Sequence, residues 1–368
     1  MITGTEHEYS INDASFNALP VSDLIIQEIC GTIKPDISFG EVVLGKELQK
    51  TVLEFIPKSP SSYLMTLEQQ LVQGMNDFYT KFPDQYKLLG LGMHPTLTLD
   101  HTAVWDHDEQ DIYTTYDRLF NIRQHGWLNI QALQVNLSYS GEHQLITNYN
   151  KIRSLLPYII AITASSPMVE GKLTGIMDNR LIFYKKNQKE IPQICNRIIP
   201  ERLRSINDYT RLQNEIFDEL RLRKADILCK EWLNSSGLII RFSRNCLEIK
   251  APDEQECIYS DMAVCAFIKA LMRNPLSYIP QDQQDLLDIT DSAIIHGVSK
   301  LEPELEQLYK TAWKHSTQEE RHYLPLIQNR IECGSLAERM SDIYKQSGNI
   351  IAIMKDMSWC LQKNKPYQ

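Results

Sequence analysis

The chain has 368 residues, 43% hydrophobic and 23% charged, enough to bury a large core with ordinary globular composition. Lys and Arg number 38 against 47 Asp and Glu, a formal charge of −9, which argues against the basic face of a nucleic-acid binder. The same balance keeps a polyphosphate away from the acidic groups unless divalent cations lie between them. No apolar run approaches the roughly 18–20 residues that span a bilayer, and residues 1–12 are polar and acidic, unlike a secretory signal. Eight cysteines are scattered without a Cys-x-x-Cys pair, several in apolar runs such as residues 262–268. They read as buried free thiols of a reducing, cytoplasmic environment.

In chain order, strands are expected at residues 6–11, 88–93, 132–139, 237–243 and 246–250. Helices are expected at 46–55, 63–82, 143–163 and 206–224, with Pro157 kinking or restarting the third. From 261 onward the pattern is helical, at 261–272, 282–296, 303–316 and 336–347. Regular strand–helix alternation is missing, so the expected fold class is α+β: an antiparallel sheet with helices packed outside it and a helical C-terminal third. No composition break divides the chain, and 1–368 is expected to be one catalytic domain.

Five segments carry candidate chemistry. In Gly4-Thr5-Glu6-His7-Glu8, strand alternation puts Glu6 and Glu8 on one face, roughly 7 Å apart, where they repel unless a cation intervenes. A solvated strand face is the plain alternative. Glu47 and Glu54 are seven apart, which on a helix gives one face two turns on, and Glu54 sits among Val52, Leu53, Phe55 and Ile56. That pattern also fits a salt-bridged helix. Gln134, Asn136 and Ser138 line one face of their strand, a ligand-facing or a solvent-facing row. Ala164-Ser165-Ser166-Pro167, Gly171 and Gly175 lead to Arg180, a fixed cationic fork after a loop that brings backbone close to a ligand, or an ordinary loop with a surface Arg. Glu248 and Lys250 share a strand face, as a structural ion pair or as part of a site.

Taken together and in this order, these segments resemble the glutamate–cysteine ligase and carboxylate–amine ligase family. Gly4-Thr5-Glu6-His7-Glu8 is similar to its opening Gly-x-Glu-x-Glu strand, and Glu47 with Glu54 to its later acidic pair. Gly92-Met93-His94-Pro95 resembles the bacterial branch, and Gln134-Val135-Asn136 the plant-type strand. The run from Ala164 to Arg180 and Leu247-Glu248-Ile249-Lys250, followed by Asp253, resemble its remaining motifs. The likeness covers about residues 1–270; the last hundred residues carry no matching motif. Lys250 stands where the family has Arg, and Ser165 where it has Asn.

The resemblance implies a curved antiparallel funnel like the glutamine synthetase catalytic domain, and ATP-dependent amide formation through an acyl phosphate. It implies Mg²⁺, or Mn²⁺, held by Glu6, Glu8, Glu47, Glu54, Gln134 and Glu248. It also implies that Arg180 and Lys250 act on the phosphoryl group or the substrate carboxylate, and with Asn136 contact the nucleotide. Glutamate and cysteine are the first expected substrates. Neither nucleic acid nor membrane is an expected partner. Two other readings compete: a non-catalytic binding protein on the same fold, and a metal hydrolase built on His94, Asp100, His101, Asp106, His107 and Asp108. The second lacks a His-Glu-x-x-His helix, and neither a Gly-x-Ser-x-Gly elbow nor a P-loop occurs.

Overall fold

The computed structural model describes residues 1–195 and 197–367. Its centre is β1 (Thr3–Asn12), whose alternation sends Thr5, His7, Tyr9 and Ile11 into the core and Glu6 and Glu8 to the opposite face. β1 pairs antiparallel with β4 (Val52–Pro57), β5 (Lys87–Leu89) and β6 (Leu133–Ser138). Beyond β4 lie β3 (Val42–Lys46) and β2 (Asp36–Phe39); beyond β6 lie β10 (Cys246–Ile249) and β9 (Leu238–Arg241). These eight strands form an antiparallel sheet, and β7 (Met168–Val169) and β8 (Lys172–Leu173) form a separate hairpin. The fold is α+β.

The helices follow the apolar periodicity. α1 (Ser22–Cys30) and α2 (Leu64–Lys81) cover the core face, where Leu67, Leu71, Met75 and Phe78 of α2 meet an aromatic column through Phe55 and Tyr9. α3 (Gln110–Phe120) and α4 (His125–Leu128) precede β6, and α5 (Gly141–Thr163) runs unbroken through Pro157, buried from Ile152 onward. α6 (Asn179–Tyr184) and α7 (Ile206–Leu222) follow. α8 (Ile258–Met272), buried on nearly all sides, receives α2, α5, α10 (Glu302–His315) and α11 (Gln318–Cys333). α9 (Gln283–His296) packs on α5, while α12 (Leu336–Ser347) and α13 (Ile350–Lys363) close over β5. No described helix is long and apolar enough to cross a membrane.

One expected element is overturned: residues 46–55 are not a helix but the turn and strands of the β3–β4 hairpin. β-branched Thr51, Val52 and Ile56 with aromatic Phe55 favour a pleated strand, and β3 supplies its partner. α11 and α13 fall in the region expected to be helical but outside the four spans given for it, and α11 runs through Pro325.

Candidate active site

Register alone assembles one chemical surface. Across the sheet Glu8 faces Glu54, Glu6 faces Gln134, and Glu248 faces Asn136. Directly opposed residues share a face, so all six side chains emerge on the side away from α2. Glu47 joins them from the turn after β3. Carboxylate oxygens of Glu8, Glu47 and Glu54 come within 4.8 Å of one another. Gly45 stands opposite Glu54, and a Cβ there would lie 2.7 Å from Glu54 Oε2, so the glycine leaves the carboxylate its place.

These three acids resist ionisation. Burial and the charge of Glu47 push Glu8 up to about 8, although Gln134 Nε2 and the Ala132 N–H each donate to it at 2.9 Å. Burial, then the charges of Glu6, Glu47 and Glu8, hold Glu54 well above the carboxylate range. Enclosure also raises Glu47, against the opposing charge of Lys46. A divalent cation among the oxygens would remove the repulsion, and hard oxygen donors suit Mg²⁺ or Mn²⁺. The residues present therefore fit such an ion.

Glu6 and Glu248 share that face but are engaged by cations. Glu6 Oε1 accepts from Arg244 Nη1 at 2.7 Å and from Asn136 Nδ2 at 3.0 Å. Arg241 Nη1 donates to fully buried Glu248 at 2.5 Å, and Lys250 Nζ approaches its other oxygen at 3.2 Å. Burial works to raise Glu248, yet Lys250 and Arg241 outweigh it and hold the carboxyl below its usual range. Of the six expected metal ligands, then, three converge, Gln134 is tied to one of them, and Glu6 and Glu248 sit beside them in ion pairs.

Arg180 lines the same cavity, of about 500 Å³, but its guanidinium is committed inward. Its Nε donates to Asp253 Oδ1 at 2.6 Å, and its Nη2 to the Ala251 carbonyl. Asp253 Oδ2 accepts from the Ser165 N–H at 2.9 Å and Ser166 Oγ at 2.8 Å. Ser165 Oγ in turn takes the Gly92 N–H at 2.8 Å and donates to the Glu254 carbonyl at 2.8 Å. The loop of small residues thus anchors Arg180. Gly171 and Gly175, at φ 79° and 82°, turn around the β7–β8 hairpin. Asn136 lies outside the acidic cavity; it lines an adjoining, mainly apolar one of about 380 Å³ with Ile56, Pro60 and Cys246. The Glu6–Arg244 pair borders both cavities.

The acidic cavity is also lined by four aromatic side chains, Tyr113, Tyr116, Trp127 and Trp232. Sequence reasoning missed these residues because they come from separate segments with no motif. The rival hydrolytic segment disperses. His94 is buried against Asn12 at 2.7 Å, and His101 turns to Thr98 at 3.1 Å. Asp106 and His107 cluster with Asp23, but Lys50 already supplies the cation there, 2.6 Å from Asp23 and 3.2 Å from Asp106.

A sheet that presents clustered carboxylates and flanking cations to a deep cleft offers a donor set that fits divalent cations. Comparison with known proteins gives the family. The model of glutamate–cysteine ligase family 2 matches residues 2–356, extending through the helical region that no motif had anchored, and the chain belongs to that family. It is 48% identical over 368 residues to an uncharacterised protein of Archaeoglobus fulgidus, covering 99% of each chain. Its fold is similar to that of the glutamate–cysteine ligase of Francisella tularensis solved in complex with AMP (TM-score 0.66, 11% identity, 99% of this chain and 88% of that one). It is also similar to a bifunctional glutathione synthetase of Pasteurella multocida (TM-score 0.65, 14% identity), of whose length the chain spans 52% while 99% of it is covered.

Proposed function

We propose that this protein is an ATP-dependent carboxylate–amine ligase that forms an amide through an acyl phosphate, with glutamate and cysteine as the first substrates to test. The observation that carries this reading is the convergence of Glu8, Glu47 and Glu54, three acids too crowded to ionise together, beside a row of cations. Family membership supports the same chemistry. Glu8, Glu47 and Glu54, with Gln134, Glu6 and Glu248 beside them, would hold Mg²⁺ or Mn²⁺. When bound, such ions neutralise phosphate charge and orient the transferring group.

The chain's own residues do the rest. Arg244 pairs with Glu6, and Arg241 and Lys250 with Glu248; were those two carboxylates to hold such an ion, the three cations would be left to receive phosphate oxygens. The apolar cavity beyond Glu6–Arg244, with Asn136 and Ser138 on its wall, suits the flat base of the nucleotide. A carboxylate oxygen of the donor attacks the γ-phosphorus and ADP leaves; the amine then attacks the acyl carbon, and phosphate leaves with the bonding pair. Positioning and charge neutralisation supply most of the rate in such transfers. Arg180, held by Asp253, acts as a positioning residue that fixes the strand end carrying Lys250. Helices α8–α13 buttress the sheet, so residues 1–368 act as one catalytic unit in this reading.

The test is ADP release in the presence of Mg²⁺ over a panel of carboxylate donors and amine acceptors. Release that requires donor and metal together supports the proposal. ATP binding without ADP release under any donor would mark a binding protein instead.

A further inference from the structure

The edge of β1 that faces β6 and β5 has a gap. β6 pairs with β1 from Thr3 to His7 and β5 from Ser10 to Asn12, so Glu8 and Tyr9 meet neither strand on that side. Ahead of β6 the chain turns away from β1, and Ala132 bridges to Asp253 instead. A buried backbone N–H without an acceptor is costly, and Glu8, 6% exposed, lies in the gap. Two carboxyl groups span it. Glu8 takes the Ala132 N–H at 2.9 Å, and the Glu8 N–H donates to Glu254 Oε2 at 3.0 Å.

Glu254 is itself anchored. Its N–H reaches the Gln131 carbonyl at 3.3 Å, its carbonyl accepts from Ser165 Oγ at 2.8 Å, and its Oε1 lies 3.5 Å from His7 Nδ1. The same imidazole nitrogen sits 3.1 Å from Asp261 Oδ2. Glu254, His7 and Asp261 are all fully buried. Two carboxyl groups and an imidazole taken out of water are costly compared with apolar packing at the same place. Glu254 does not line the acidic cavity, so a contact with substrate does not explain it. The group it does serve is the backbone beneath Glu8.

Resting on the metal-dependent ligase reading above, we infer that Glu254 is a positioning residue for the metal site: by accepting the Glu8 N–H it fixes β1 where the Glu8 carboxylate meets those of Glu47 and Glu54, and His7 and Asp261 hold it in place. Groups behind a metal ligand change metal affinity about 10–100-fold, because a small displacement spoils the donor geometry. Glu254 itself touches neither ion nor substrate. Without its oxygen the Glu8 N–H has no acceptor in the gap, and β1 shifts to find one, carrying the carboxylate with it.

The experiment titrates the whole, substrate-free protein with Mn²⁺ and reads the free ion by electron paramagnetic resonance. Glu254→Leu removes the acceptor, while Glu254→Gln keeps an oxygen at the same reach. Leu286→Ala, a buried position of α9 far from the gap, serves as a destabilised control. Glu254→Leu should weaken Mn²⁺ binding about tenfold or more, with Glu254→Gln and Leu286→Ala within about threefold of wild type. Equal affinity in Glu254→Leu and wild type overturns the inference, as does an equal loss in Glu254→Gln or in Leu286→Ala. Hydrogen exchange on the wild type covers the case in which Glu254→Leu does not fold. If the Glu254 contact favours the ion, the ion must favour the contact, so Mg²⁺ should slow exchange of the Glu8 amide about tenfold more than that of the α9 amides. Uniform slowing overturns the inference. Wild-type protein that takes up no Mn²⁺ overturns both this inference and the metal site beneath the ligase reading. The expected Mn²⁺ pattern without ADP release upholds the positioning role and rejects the ligase reading alone.

Discussion

Arg180 and Asp253 meet at 2.6 Å in a site where neither side chain is more than 2% exposed, and that pair fixes the strand end from which Lys250 projects. Gly92 makes the arrangement possible: a Cβ at that position would fall 2.2 Å from the Asp253 carboxyl carbon. Gly92→Ala should therefore displace Asp253 and destabilise the fold by about 1–3 kcal/mol, as overpacking does. Arg180→Met, which strands a buried carboxylate, should cost about 3–5 kcal/mol. Urea denaturation of the two variants checks both values; wild-type midpoints would refute the anchoring role.

Glu54 should show opposite effects on stability and turnover. Its ionised form is disfavoured by burial and by Glu6, Glu47 and Glu8. Glu54→Gln should raise the melting temperature of the metal-free protein near neutral pH while lowering turnover by roughly 100-fold or more. Calorimetry and ADP release, measured on the same preparation, test the pair. A lower melting temperature would mean the cluster is not strained.

The cluster also gives a pH signature. Glu8 rises from 4.5 to about 8 in the folded metal-free chain, so the folded state binds more protons than the unfolded state between those values. Its contribution to stability is fully present below pH 4.5 and is lost as pH rises through about 8. Mg²⁺ should reverse that loss, so the Mg²⁺-induced rise in melting temperature should grow across the same interval. A rise that shrinks with pH would refute the site.

His94 acts in the other direction. Burial pulls it from 6.5 down to about 4, and the short contact from Nε2 to Asn12 Oδ1 at 2.7 Å fits a neutral ring with its proton on Nε2. The folded state then binds fewer protons than the unfolded one between pH 6.5 and 4, and stability falls as pH drops through that window. The loss is on the order of 3 kcal/mol at most. His94→Gln should flatten the acid limb of the stability curve in that interval, whatever its effect at neutral pH.

Glu248→Gln should abolish turnover and also loosen the protein, because it leaves Lys250 without its carboxylate while Arg241 keeps Glu231 at 3.3 Å. Thermal melting separates the effects: a loss of activity with unchanged stability would mean that the resting Glu248–Lys250 pair contributes little.

Much of the acidic face was legible because alternation in a strand is a strict rule. Glu6 with Glu8, and Gln134 with Asn136, emerge together as their spacing requires. Glu47 and Glu54 were also paired correctly, but for the wrong reason. A seven-residue interval suits two helical turns, yet here it spans a turn and half a strand, and only the pairing of Gly45 with Glu54 brings the carboxylates together. Local spacing could not reveal a partner strand. Nor could it show that Arg180 turns inward: Asp253, marked only as following Lys250, is the group that holds it. The aromatic walls were invisible because Tyr116, Trp127 and Trp232 are brought together by tertiary packing rather than by any short pattern.

β1 is the sheet's hub, and its partners are drawn from residues 52–57, 87–89 and 133–138, while β10 completes the face only at 246–249. During synthesis the two leading glutamates meet Glu54 and Gln134 early, yet the face they belong to stays incomplete until some 240 further residues have left the ribosome. Divalent-ion affinity should appear abruptly in a series of nascent-chain lengths rather than build up gradually, making the ion a reporter of finished assembly.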